Sequence, residues 1–397
     1  MALFPKQHNP AAPAPSRCAR LFSAHWYRGF LLFVFFTAIA AACLNGFYTK
    51  WRLNDGHPAF SLAAMVDGSA HRPYVYRQLL PVIANGIQAM LPPATVARVS
   101  ARLAAPQRVN SHSGIAMRYP GSESLQVAYA LRYHIVYYLT FAALLAALFV
   151  MRALCLRLGA SAPAAVAAPA AFALLLPFLL TIGGYFYDFT ELLFMMSGVL
   201  LASRPMMRKP AGAALLLLLG AVATFNKEAF FWFSPTLYPL LRQHLDSRRA
   251  AALTAGLLLV CGSVYLALRL RYAGQYGSTA DFQLWENLRF YSSLSGWLKT
   301  ESTYGVLLPR GFSIVTVLLF AGVACRQWRH LALPMRRHAT IALAINLPLF
   351  LLFCSPGEMR NLSMLYPTWL ALTAVGLSGW LARESQPAAP GEPAPVA

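Results

Sequence analysis

Asp188 and Glu191 stand three residues apart in the run Tyr185-Phe186-Tyr187-Asp188-Phe189-Thr190-Glu191, a spacing that puts both carboxylates on one face of a helix. Acids entering so apolar a stretch are costly unless they meet a cation or a cavity. Cations lie within reach of such a meeting. Asn226-Lys227-Glu228 interrupts a second apolar run, Glu358 and Arg360 occupy the short link 356–361, and Arg72 and Arg77 bracket Pro73-Tyr74-Val75-Tyr76. Asp55, followed by Gly56 and His57, opens a long polar segment. A carboxylate held near an apolar boundary gains basicity by partial desolvation and suits general-base work. Arginine grips a phosphate through paired hydrogen bonds, and a lysine at a helix break adds to the pull on an anion. Each group also has a plainer role. Asp188 and Glu191 fit a structural ion pair with Lys227 or a neighbouring arginine, Asp55 a solvated turn acid, Asp67-Gly68 a chain reversal and Glu358 a solvated turn. With 28 Arg against 5 Lys, arginine is common throughout the chain.

The elements that position these residues follow from composition. Of the 397 residues 58% are hydrophobic and 12% charged, and the mean hydropathy is +0.51. A chain of this kind is solvated mostly by lipid. Its net charge of +20 does not mark a nucleic-acid binder, because the basic residues punctuate apolar runs and form no basic face. Roughly 20 apolar residues cross a bilayer. Ten runs qualify as spans of an all-α bundle: 29–48, 127–151, 162–182, 185–203, 211–225, 229–241, 250–268, 311–325, 339–355 and 362–382.

Basic residues orient the bundle by the positive-inside bias. Lys6, Arg17, Arg20 and Arg28 precede the first span, and Arg152, Arg157, Arg204, Arg208, Lys209, Arg242, Arg248, Arg249, Arg326, Arg329, Arg336, Arg337 and Arg383 fill links on that same side. Both termini are thereby expected in the cytoplasm, and ten of the thirteen acids fall on the opposite face. The stretch 211–241 must enter and leave on one side, which predicts two short helices meeting at Asn226-Lys227-Glu228, the second turning free N–H groups outward toward an anion. Residues 78–91 are too short and broken to span and are expected to lie in the interface or dip into it and return.

Outside the lipid, residues 1–28 form a basic tail, 383–397 a second tail, and 49–126 and 269–310 two long outer segments of the 29–382 bundle. Residues 1–20 and 385–397, rich in Pro and Ala, are expected to be disordered. The six cysteines show no paired spacing, so neither a zinc site nor a disulfide framework is indicated. Trp285 and Glu286 in the second long segment are acceptor-side candidates, although mixed aromatics there also suit an interfacial belt.

The first long segment carries a resemblance. Asp55 shortly after the first span, a short amphipathic helix over 60–66, the Asp67-Gly68 turn and the cluster Arg72-Pro73-Tyr74-Val75-Tyr76-Arg77 leading into an apolar helix are together similar to the GT-C superfamily of membrane glycosyltransferases. The resemblance implies a sugar taken from a polyprenyl-phosphate donor on the outer side of a bacterial inner membrane, with Asp55 as catalytic base or acceptor-orienting acid. Arg72, Arg77, Asp188, Glu191, Lys227, Glu228 and Arg360 become the substrate-binding candidates. Many members carry two adjacent acids where this chain has Asp55-Gly56, which leaves a divalent metal an open question. His57 and His71 are its nearest additional ligands. Rival readings are a transporter or flippase of an anionic lipid-linked sugar, a surface-polysaccharide polymerase or ligase, and a non-catalytic assembly subunit. Polar groups at the outer ends, with no internal repeat, favour chemistry at the face over passage through the middle.

Overall fold

The computed structural model describes residues 24–105 and 121–384; the segments 1–20 and 385–397 expected to be disordered lie outside the described residues, whereas 24–28 and 383–384, read as parts of the tails, are helical. Among the described residues the chain is all-helical apart from one hairpin. Helices α1 (Ala24–Trp51), α2 (Leu62–Val66), α3 (Leu79–Ala89), α4 (Pro93–Ala104), α5 (Ala130–Arg157), α6 (Ala164–Leu179), α7 (Tyr187–Ala202) and α8 (Pro210–Asn226) are followed by α9 (Ala229–Phe233), α10 (Tyr238–Leu241) and α11 (Ser247–Arg271). Then come α12 (Leu284–Ser292), α13 (Leu294–Trp297), the antiparallel pair β1 (Thr300–Thr303) and β2 (Val306–Pro309), and α14 (Ile314–Gln327), α15 (Leu333–Phe353) and α16 (Tyr366–Glu384). Among the described residues three helices, against the ten runs expected, are long and apolar enough to cross a membrane: Trp26–Trp51, Val127–Arg157 and Ser247–Arg271.

Local sequence explains where these helices stop. The chain leaves α1 through Arg52 and Asn54, both in the left-handed region, which a helix cannot continue. Pro92 and Pro93 lack the N–H groups that would extend α3, and α4 departs from α3 at 120°. The first arm of this bent pair covers the stretch 78–91 that the sequence marks as too short and broken to span. Asp246 caps α11 by accepting from Arg249 N at 2.9 Å, and Ser313 caps α14 by accepting from Thr316 N at 3.3 Å.

Side-chain bonds tie the helix ends into two groups. At one end, Lys50 donates to Pro177 O (3.0 Å) and pairs with Glu301 (3.1 Å), while Trp51 Nε1 donates to Leu180 O (2.8 Å). Tyr291 OH accepts from Gly357 N (3.0 Å), and Gln78 N donates to Phe225 O (3.1 Å). At the other end, Ser203 O accepts from Arg157 (2.7 Å) and from His244 Nε2 (2.9 Å). Helix α7 links the two groups, with Asp188 near its start and Ser203 just past its finish. The stretch 210–241 therefore leaves Ser203, reaches Asp188 through Lys227 and returns to Ser203 at His244. It reverses as expected. Its second limb is not one helix, however. Pro235 and Pro239 divide it into α9, a 3-10 turn Ser234–Leu237 and α10.

The core gathers where these elements cross. Phe47 meets Phe189 edge-on at 4.9 Å, and Tyr133, Phe186, Tyr187, Phe230 and Phe233 are fully buried. Helices α8 and α11 approach closely at Gly220, where an added Cβ would lie 2.4 Å from Leu257, the kind of contact small residues permit between apolar helices.

Candidate functional site

Four segments far apart in sequence deliver charge to one place. Lys227 leaves α8 in an extended conformation, and its Nζ stands 2.5 Å from Glu191 Oε2 and 3.2 Å from Asp188 Oδ1 on α7. The three-residue spacing of the two acids does bring them onto one cation. Asp188 Oδ2 also accepts from Tyr185 N at 3.0 Å, fixing the entry to α7, and Glu191 Oε1 accepts from Ser363 Oγ at 2.6 Å.

From the link before α16, Arg360 donates to Asp188 Oδ1 at 3.2 Å and pairs with Glu358. Glu358 in turn accepts from Ser355 N at 3.1 Å, so it is held by its own turn and is not a solvated acid. From the first long segment, Arg77 Nη2 stands 2.7 Å from Glu228 Oε1, and Nη1 donates to Tyr187 OH at 2.9 Å. The 3-10 turn Tyr74–Tyr76 buries Val75 and Tyr76, and the bond from Gln78 to Phe225 docks that turn on the end of α8. Arg77 is thereby delivered to Glu228.

Aromatic faces complete the arrangement. Arg360 lies 4.5 Å from the Tyr185 ring centroid and Arg77 5.0 Å from that of Tyr187, and those two rings stack at 5.0 Å. A cavity of about 400 Å³ opens beside the network, lined among others by Tyr74, Arg77, Tyr185, Lys227, Glu228 and Arg360. Asp188 and Glu191 do not line it. They stand behind Lys227 and Arg360 as counter-charges, which is the structural role their sequence also allowed.

The remaining sequence candidates fall outside this cavity. Asp55 accepts from Tyr133 OH at 3.1 Å, and its Oδ1 is buried without a partner. Burial raises its carboxyl above the ordinary range, helped by the neighbouring Glu123. Its links to the cavity are indirect: Asn54 Nδ2 donates to Gly184 O at 3.2 Å, next to Tyr185, and His57 stacks on Phe60, whose ring meets those of Tyr74 and Tyr185. Arg72 is engaged elsewhere, donating through Nη1 to Ala273 O at 3.2 Å and through its backbone N to Tyr276 O at 2.7 Å. It braces the first long polar segment against the second.

Asp67 meets Tyr129 (2.5 Å) and Arg132 (3.2 Å), not Asp55. Trp285 is 70% exposed, and Glu286 pairs with Arg289 at 3.7 Å. Neither lines the cavity, whereas Asp281 and Gln283 do. The expected anion site at the start of the second limb does not form either, because α9 has only five residues and Glu228 sits at its N-cap.

Several contributing residues escaped the sequence reading. Glu123 is buried and accepts from Gly56 N (3.0 Å) and Ala63 N (2.8 Å), closing the loop that carries Asp55. Its signal was an acid just ahead of an apolar span. Ser363 and Tyr133 gave no signal, since a lone hydroxyl near a span end has many uses. Arg269 also lines the cavity and was legible only as one more basic residue beside a long segment. Among the described residues no three His, Cys, Asp or Glu side chains are grouped as a metal site requires. No protein-family model, curated protein or solved structure matches the chain, so the chemistry of the site is argued from its own geometry.

Proposed function

We propose that this chain is an integral membrane glycosyltransferase that takes a sugar from a polyprenyl-phosphate donor and works at the outer face of a bacterial inner membrane. Its bundle has about ten spans, with both termini cytoplasmic. The carrying observation is the cavity in which Arg77, Lys227 and Arg360, brought from three distant segments, converge at one end of an apolar bundle. A charge-rich cavity at the end of lipid-facing helices suits an amphipathic ligand with a polar head and an apolar tail.

The donor headgroup occupies the cavity, with the sugar against Tyr74 and Tyr185. The acceptor hydroxyl attacks the anomeric carbon, the bond from that carbon to the phosphate oxygen breaks, and the lipid phosphate leaves with its charge stabilised by guanidinium. The hydroxyl proton passes to a carboxylate. Asp55 is the base that the resemblance implies, and its raised proton affinity and unpartnered oxygen suit the task; because it lies outside the cavity, this role requires the acceptor hydroxyl to enter from the Asn54 and Gly184 side, between Asp55 and the sugar. Glu228 is the competing base, because it lines the cavity and its Oε2 is also unpartnered.

Sugar transfer by the purified protein from candidate polyprenyl-phosphate sugars tests the reading. Asp55→Asn should lower turnover by about 100-fold or more, the loss typical of a general base, while Glu228→Gln should chiefly weaken donor use. The reverse pattern would make Glu228 the base. Full activity in both variants would remove the enzymatic reading.

A further inference from the structure

The three cations described above are each engaged by carboxylates, and Arg269 is not. It sits in the last turn of α11 and lines the same cavity, yet among the described residues it forms no ion pair. Its guanidinium carbon stands 4.8 Å from the ring centroid of Tyr265, one helical turn earlier, and its Nε is buried without a hydrogen-bond partner. Tyr265 and Trp232 line the cavity with it.

Charge accounting separates the four cations. Arg77, Lys227 and Arg360 face Asp188, Glu191, Glu228 and Glu358 in direct ion pairs, three positive charges against four negative. For an anion to bind any of these three, it must displace a carboxylate that would then be left without its partner in a poorly solvated place. Among the described residues Arg269 is in no ion pair, so an anion that binds it displaces no carboxylate. Its planar fork keeps open donors, and the Tyr265 ring beneath it restricts its motion.

We propose that Arg269 is the residue that receives the phosphate, while Arg77, Lys227 and Arg360 hold the shape of the cavity around it. The inference rests on the headgroup reading above and names the phosphate contact within it. A phosphate monoester or diester is the shared chemistry, and its source is a lipid headgroup or free phosphate.

Binding of farnesyl phosphate, farnesol and inorganic phosphate to the full-length protein in nanodiscs tests it, with Arg269→Gln and Arg269→Lys compared to the unaltered chain. The unaltered chain should bind farnesyl phosphate at least about tenfold more tightly than farnesol, as expected for charge-assisted hydrogen bonds. Arg269→Gln should bind the two equally, and Arg269→Lys, which keeps the charge, should retain part of the preference. A thermal midpoint close to that of the unaltered chain shows that each variant is folded.

If the unaltered chain shows no preference for the phosphate, the headgroup reading and this inference fall together. If the preference exists and survives in Arg269→Gln, only this inference falls. Inorganic phosphate bound as tightly as farnesyl phosphate, and lost in Arg269→Gln, would uphold Arg269 as the anion contact and overturn the lipid as its source.

Discussion

Lys227 is buried against two carboxylates, and the value of that contact is best judged by removing one side of it. Lys227→Met leaves Asp188 and Glu191 without their shared cation and should destabilise the protein by about 3–5 kcal/mol. Thermal unfolding in detergent measures the loss. Adding Asp188→Asn and Glu191→Gln to that variant removes the unpaired charge and should recover much of it. If the triple variant is as unstable as the single one, the network is not what the lysine serves.

Asp55 offers a second test at the same scale. Burial raises its proton affinity, so the protonated form is the one the fold favours. Its contribution to stability is present below the ordinary carboxylate range and is lost as pH rises through the raised value. A base must be ionised, so transfer should rise over that same interval. Activity and stability thus move in opposite directions with pH, and Asp55→Asn should flatten both curves. A pH–rate profile unchanged in Asp55→Asn would assign the base elsewhere.

Among the elements, the hairpin and the start of α14 dock on the end of α6 through Tyr304, whose hydroxyl donates to Leu174 O at 3.2 Å, and through a close approach at Gly311. A Cβ at Gly311 would lie 1.9 Å from the backbone oxygen of Phe178 and 2.7 Å from the Thr181 side chain. Backbone cannot yield as a side-chain tip can, so Gly311→Ala should cost about 1–3 kcal/mol by overpacking. Thermal melts report the cost. Because Thr181 Oγ1 also donates to Gly357 O at 3.2 Å, the displacement should reach the turn that carries Glu358 and Arg360. Donor affinity is therefore expected to fall together with stability.

For the whole molecule, the two groups of bonded helix ends define two faces, and the proposed orientation puts the acid-rich one outside. Cysteines placed singly at exposed positions in a background lacking the six native ones read that orientation directly. Ser278→Cys should react with a membrane-impermeant maleimide in intact cells. Arg208→Cys and Arg337→Cys should react only after permeabilisation. Asp188 is unsuited to this experiment because it is buried, whichever side it faces. Labelling of positions 278 and 208 from the same side would overturn the topology.

Much of this fold was legible in the residues themselves. The apolar runs, three of which become helices long and apolar enough to cross a membrane, and the polar interruption at 226–228 report local backbone cost and solvent preference, which each segment carries on its own. The three-residue spacing of Asp188 and Glu191 likewise fixed a shared helix face. Tertiary packing alone decided which charges meet. Arg77 finds Glu228 only because the Gln78 to Phe225 bond docks the first long segment on α8, and Asp55 stays outside the cavity because Glu123 and Tyr133 hold its loop elsewhere. Ion pairing acts over a few ångströms and depends on where distant segments land, whereas helix formation depends on neighbours in the chain. That difference in range is why the sequence foretold the helical character and the polar residues at its breaks, while the division of 229–241 into short pieces, the partners of those polar residues and the absence, among the described residues, of an ion pair at Arg269 became visible only in the folded bundle.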